Sequence, residues 1–211
     1  MKRGRFITLE GGEGAGKSTQ ISLLKDALEA KGTQVLITRE PGGSKGGEEI
    51  RNLLVNGDTA KWEPLTEALL NYAARHEHLE KVILPALEQG TWVLCDRFAD
   101  STMAYQGYGH GMDREIIRRL HRLVVGDTRP DLTLIMDMAV EDGLKRANSR
   151  GEGEDRYERM GTEFHERLRQ GFLDIAYKER HRCAVIDASG DIGAVAMAIA
   201  LEVSDRLKIE L

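Results

Sequence analysis

Five short runs rich in β-branched and apolar residues, Phe6 to Leu9, Gln34 to Thr38, Thr91 to Cys95, Leu132 to Met136 and Cys183 to Ile186, alternate with longer stretches of helical period. That alternation predicts βα units feeding one parallel sheet. After the first run, Ile21, Leu24 and Leu28 recur on one helical face, and Gly32 supplies a stop. A helix beginning near Pro64 repeats Leu65, Leu69, Tyr72, His76, Leu79 and Ile83 at spacings of three and four, which predicts a buried stripe. Asn71, Arg75 and His78 fall on a different stripe, about a quarter turn away. Further helices are predicted around Arg114 to Val124, Val140 to Ser149, Glu158 to Arg180 and Ala194 to Leu207.

Polar chemistry follows each strand: Glu10, then Arg39 and Glu40, then Asp96 and Arg97, then Asp137, then Asp187. Ligands of open parallel sheets bind beyond the carboxyl ends of the strands, so these residues are expected on one rim. The length of 211 residues, with no internal repeat or linker, predicts a single domain over 1–211. Against 35 Asp and Glu stand 30 Lys and Arg, a formal charge of -5, which gives no general attraction to nucleic acid. Any phosphate must therefore be held by a local site. The longest apolar-rich uncharged run, Ile192 to Leu201, falls well short of the ~20 residues of a membrane span. The apolar run after the basic start is too short for a secretory signal. Cys95 and Cys183 sit in strand-like runs and read as core residues of a reducing, cytoplasmic compartment.

Gly11 to Ser18 reads GGEGAGKS, a full match to G-x-x-x-x-G-K-[ST], directly after a strand and before an amphipathic helix. Glycines let such a loop curl its backbone N–H groups inward onto a phosphate, and the helix adds its positive N-terminal end. The expected nucleotide cradle is Gly11, Gly12, Glu13, Gly14, Ala15, Gly16, Lys17, Ser18 and Thr19. In it Lys17 reaches the β and γ phosphates and the Ser18 hydroxyl holds Mg²⁺. Glu13 would repel a phosphate, so its side chain is expected to turn away from the cradle, toward the acceptor side. Guanine-binding, transporter and protein-kinase signatures are absent from the sequence, which leaves phosphoryl transfer to a small molecule.

Six strings in register carry more: LEGGEGAGKST at Leu9 to Thr19, TREPGGS at Thr38 to Ser44, YAAR at Tyr72 to Arg75, GTWVLCDR at Gly90 to Arg97, DRFADSTMAYQG at Asp96 to Gly107 and RPDLTLIMD at Arg129 to Asp137. Together they closely resemble bacterial thymidylate kinases over nearly the whole chain. The resemblance implies a P-loop fold with a five-stranded parallel sheet flanked by helices, usually a homodimer. It also implies transfer of the ATP γ phosphate to thymidine 5′-monophosphate (dTMP). It places Arg97 on the acceptor phosphate, with Asp96 beside it close to Mg²⁺, and sets Arg75 on a thymine carbonyl with Thr102 and Gln106 completing the base edge. Tyr105 matches the tyrosine that crowds the ribose 2′ position, and Arg51 falls on the acceptor side. Arg39 either serves the acceptor phosphate or braces its loop. One departure stands out: where the family carries an aromatic residue four before the YAAR arginine, this chain has Asn71.

The segment RANSRGEGEDRYER, from Arg146 to Arg159, is polar, glycine-broken and arginine-rich, the composition of a lid between two helices. Because the P-loop has Gly14 where one family subgroup has an arginine, the cation for the transition state is expected from this segment, from Arg150 and Arg156 with Arg146 behind them. Two other readings stay open at this stage: a kinase for another nucleoside monophosphate, and a P-loop module that binds nucleotide without turnover.

Overall fold

The structure is a computed structural model that describes residues 3–149 and 156–211. Its sheet has five parallel strands, β1 (Phe6–Gly11), β2 (Val35–Arg39), β3 (Trp92–Asp96), β4 (Leu132–Asp137) and β5 (Cys183–Asp187), in the spatial order β2-β3-β1-β4-β5. β1 lies at the centre with every residue buried, which is why Phe6, Ile7 and Leu9 are apolar in succession rather than in alternation. Even its one hydroxyl is matched across the ladder, Thr8 Oγ1 to Thr133 Oγ1 at 2.8 Å.

The helices α1 (Lys17–Ala30) and α9 (Ile192–Leu207) cover one face, and Ile21, Leu24 and Leu28 pack there against Ile7, Leu9 and Leu134 as their spacing predicts. The other face is covered from α3 (Pro64–His78), α6 (Arg114–Val124) and α8 (Thr162–Lys178). α7 (Val140–Asn148) follows β4. α8 starts four residues later than its periodicity suggested. The sequence pattern misses α2 (Lys45–Val55), whose opening Lys-Gly-Gly is a poor helix former and which relies on Ser44 Oγ accepting from Gly47 N–H at 3.1 Å. The helical period predicted from Pro64 through Ile83 runs through a π-helical turn (Leu79–Ile83), but the pattern misses its extension into α4 (Leu84–Glu88), and α5 (Ala99–Thr102) with the π-helical turn (Met103–Gly109) that follows it.

The stripe predicted to be buried on α3 is corrected by the structure. Leu65 and Leu69 are 46% and 49% exposed and His76 is exposed, whereas Glu67, Arg75 and His78 are buried. The physical reason is that the inner face of α3 faces a cavity and polar segments beside it, and its buried polar groups are paired with Glu40, Gln106 and Arg156 of other segments instead of with water. Tyr72, Leu79 and Ile83 keep their predicted place in the core.

Candidate active site

Backbone geometry makes the phosphate loop. Gly14 and Gly16 have φ of 68° and 81°, the left-handed region that glycine enters without strain. A Cβ on Gly14 would also lie 1.9 Å from the Gly143 carbonyl oxygen of α7, so no arginine fits where one family subgroup has it. Lys17, the first residue of α1, folds back over the loop and donates from Nζ to the Gly12 carbonyl at 2.8 Å. Burial and the neighbouring Arg97 lower its pKa to about 8, against the pull of Asp96, Glu13 and Glu10. Ser18 Oγ donates to Asp96 Oδ2 at 2.9 Å, so the two expected metal-side groups are adjacent. Thr19 is exposed and lines no cavity found among the described residues.

A cavity of about 240 Å³ opens over this loop, and Arg39, Arg51, Asp96 and Arg97 share its wall with Glu13 and Lys17. Arg39 pairs with Glu48 at 3.0 Å and Arg51 donates to the Pro41 carbonyl at 2.9 Å. Arg39 is thus set from α2, and Arg51 by the segment joining β2 to α2.

Glu13 turns from the loop toward the acceptor side, as the repulsion argument requires. Its Oε1 accepts from Arg97 Nη2 at 3.0 Å and from the Tyr105 hydroxyl. Burial alone would raise its pKa, but Arg97, Lys17 and the Tyr105 hydrogen bond bring it down to about 2. Arg97 also donates from Nη1 to the Gly11 carbonyl at 2.8 Å and lies over the Tyr105 ring. Its backbone, at φ 67°, is one of two left-handed non-glycine residues described, which turns the chain sharply off β3 and aims the guanidinium back at the P-loop. The turn is held from beneath by Glu10, fully buried, which accepts from Phe98 N–H at 2.8 Å and Ser101 Oγ at 2.6 Å. Burial and Asp100 push the Glu10 carboxyl up to about 7.

Beyond this junction lies a smaller cavity of about 110 Å³, lined by Arg75, Asn71, Thr102, Tyr105 and Gln106, the residues the resemblance sets around the base. Arg75 is 2% exposed and held on three sides. It donates to Glu40 Oε2 at 2.7 Å, to the Phe98 carbonyl at 3.0 Å and to Thr102 Oγ1 at 3.1 Å, while its Nη1 has no partner. Glu40 is itself fixed by His78 Nδ1 at 3.0 Å, and His78 Nε2 meets Thr38 Oγ1 at 2.6 Å. Asn71 donates to the Glu67 backbone carbonyl at 2.9 Å, within its own helix. The aromatic surface missing at Asn71 is available from Phe98 and Tyr157, which line the same cavity.

Sequence reasoning left Glu40, Glu67, Ser101, Phe98 and Tyr157 unassigned. Glu40 lies inside TREPGGS and Phe98 directly follows Asp96-Arg97, so their neighbours carried a signal; Glu67 and Tyr157 carried none.

The structure reassigns one of the lid arginines, Arg156. Arg156, expected to reach the transferring phosphate, is fully buried in an ion pair with Glu67 and donates to the carbonyls of Leu54, Asp58 and Thr59. Full burial and four bonds to protein keep it from a phosphate, so it acts as a strut. Arg146 donates to Ala188 and Ser189 carbonyls after β5. Arg150 lies outside the described residues.

A phosphate loop that opens through one arginine into an enclosed pocket, rather than onto a protein surface, defines a class: the P-loop phosphotransferases that act on small phosphorylated acceptors. Comparison with known proteins narrows it. A family profile described as Thymidylate kinase matches residues 9–199. The chain is similar to the thymidylate kinase of Caulobacter vibrioides, 56% identical over 98% of this chain and 99% of that one, and to that of Magnetococcus marinus, 50% identical over 97% of each. Among solved structures it is similar to the thymidylate kinase of Ehrlichia chaffeensis, with a TM-score of 0.76 at 38% identity over 95% of this chain and 98% of that one. The chain belongs to the thymidylate kinase family.

Proposed function

We propose that the chain phosphorylates dTMP to the diphosphate with ATP as donor, through a division of labour between its two cavities. The P-loop holds the donor phosphates, and the smaller cavity holds thymine, with the acceptor phosphate lying between Arg97, Arg39 and Arg51. The single observation that carries the reading is the unpartnered Nη1 of Arg75, a buried donor on a residue that lines the pocket, which a base carbonyl would satisfy. An acceptor phosphate is already an anion near neutral pH. The reaction therefore needs alignment and charge neutralisation more than proton removal: the acceptor oxygen bonds the γ phosphorus as the bond to the β-bridging oxygen breaks. Arg97, which lines both cavities, supplies a cation for the transferring group in place of Arg156.

Ser18 and Asp96 suit Mg²⁺, because a hydroxyl and a carboxylate 2.9 Å apart beside the cradle are the hard oxygen donors that ion takes. When bound, the ion would neutralise phosphate charge. The dimer implied by the resemblance finds support in Leu53, Leu65, Leu69, Ile116 and Leu123, all exposed, on the adjoining helices α2, α3 and α6. Sedimentation is expected to give twice the chain mass, and replacing Leu65 and Leu69 by Asp to halve it; a wild-type monomer would overturn the assignment. No described helix is long and apolar enough to cross a membrane. With both cysteines free and buried, we place the enzyme in the cytoplasm.

The reading is tested with Arg75→Ala. We expect the KM for dTMP to rise by about 10- to 100-fold while the KM for ATP stays within twofold, because the lost donor faces only the acceptor. An unchanged KM for dTMP would move the base elsewhere.

A further inference from the structure

Glu67 comes from the first turn of α3 and is completely buried, at a point where four segments meet. Its carboxylate is ion-paired with Arg156, accepts from Gln106 Nε2 at 2.8 Å and lies 3.5 Å from the Tyr157 hydroxyl. Through Arg156 it is tied to the end of α2 and the loop beyond it. Nothing in the chemistry described above uses this group.

Its effect falls on Gln106. The oxygen and nitrogen of an amide are nearly alike in shape, and only their partners determine which points where. An ion-paired carboxylate only accepts, so the Gln106 –NH₂ must face Glu67, and its carbonyl oxygen is left for the cavity that Gln106 lines beside Arg75. Arg75 lines the same cavity and keeps one unpartnered donor, Nη1, so the two residues together present a donor and, in Gln106 Oε1, an acceptor. A 4-oxo pyrimidine presents the complement, an O4 that accepts and an N3–H that donates. A 4-amino pyrimidine presents the reverse, so donor would meet donor and acceptor would meet acceptor.

We propose that Glu67 is a specificity-determining positioning residue, which selects 4-oxo over 4-amino pyrimidine nucleotides by locking the polarity of the Gln106 amide. The inference rests on the reading that the base occupies this cavity. Glu67 touches no substrate. It acts by denying Gln106 the flipped orientation in which the amide would donate to a cytosine N3.

The test measures kcat/KM with ATP for dTMP and for the cytosine deoxynucleotide dCMP. In Glu67→Gln the partner can donate as well as accept, so the Gln106 amide is free to turn. The dTMP to dCMP preference is expected to fall at least tenfold, with the KM for ATP unchanged. Should the loss of charge opposite Arg156 unfold that variant, Gln106→Met keeps the Glu67–Arg156 pair and removes the amide whole, both the acceptor and its bond to Glu67. It should cost dTMP at least tenfold in kcat/KM and leave dCMP no worse. If whichever of these variants folds slows both nucleotides by the same factor, Glu67 is merely structural and the inference is overturned. Arg75→Ala separates the two levels. A raised KM for dTMP beside an unaltered preference in the other variants overturns this inference alone, whereas a silent Arg75→Ala overturns the placement of the base itself.

Discussion

Replacing Lys17 by alanine should reduce kcat by about 10³-fold or more, or about 4 kcal/mol of transition-state stabilisation, while thermal unfolding stays near wild type. The effect is large because Lys17 brings a full charge to where the donor phosphates lie, whereas the neighbouring cation, Arg97, is turned toward Glu13 and serves the transferring group and the acceptor. Stability should change little, since Nζ is anchored only by the carbonyls of Gly11 and Gly12. The same residue sets a pH dependence. Its pKa of about 8 belongs to the free protein, lowered by burial and Arg97, and the anionic nucleotide prefers the protonated form. So kcat/KM for ATP should fall as pH rises through about 8, approaching tenfold per unit, while kcat at saturating ATP holds to higher pH because bound phosphates restore the proton. A Lys17→Ala enzyme retaining a tenth of wild-type turnover would remove the residue from its assigned place.

Arg97→Ala should lower kcat by about 10²- to 10³-fold and also destabilise the fold by about 3 kcal/mol, a combination Lys17 does not show. The destabilisation comes from Glu13, largely buried and left without its ion-pair partner, with Lys17, the Tyr105 hydroxyl and His165 still near its carboxylate. The Glu13 carboxyl, now near 2, should rise. The double variant Glu13→Gln with Arg97→Ala separates the effects: stability should return toward wild type while turnover stays low, because the lost phosphate contact is not replaced. If turnover recovered together with stability, Arg97 would be a structural partner of Glu13 alone, and Arg39 and Arg51 would be left to neutralise the acceptor.

What could be read along the chain was local. A glycine loop, a lysine and a hydroxyl in fixed register form a phosphate cradle by backbone geometry alone. Alternating β-rich runs and helical periods specify a parallel sheet, because each period names the faces an element must bury. Arg97 and Arg75 were legible only through the strings around them, and the structure adds why they work: a left-handed turn at one, and a buried Glu40–His78 brace at the other. Tertiary structure alone decided the rest. Periodicity reports amphipathicity but not which face looks inward, so the α3 leucines were placed inside when the inner face carries Glu67, Arg75 and His78. The arginine-rich composition around 146–159 suggests phosphate, yet Arg156 is used up by Glu67 and three carbonyls from residues about a hundred positions earlier. A charge shows itself in sequence without its partner. Whether it meets a ligand or a buried carboxylate is settled only when distant segments are brought within hydrogen-bonding distance.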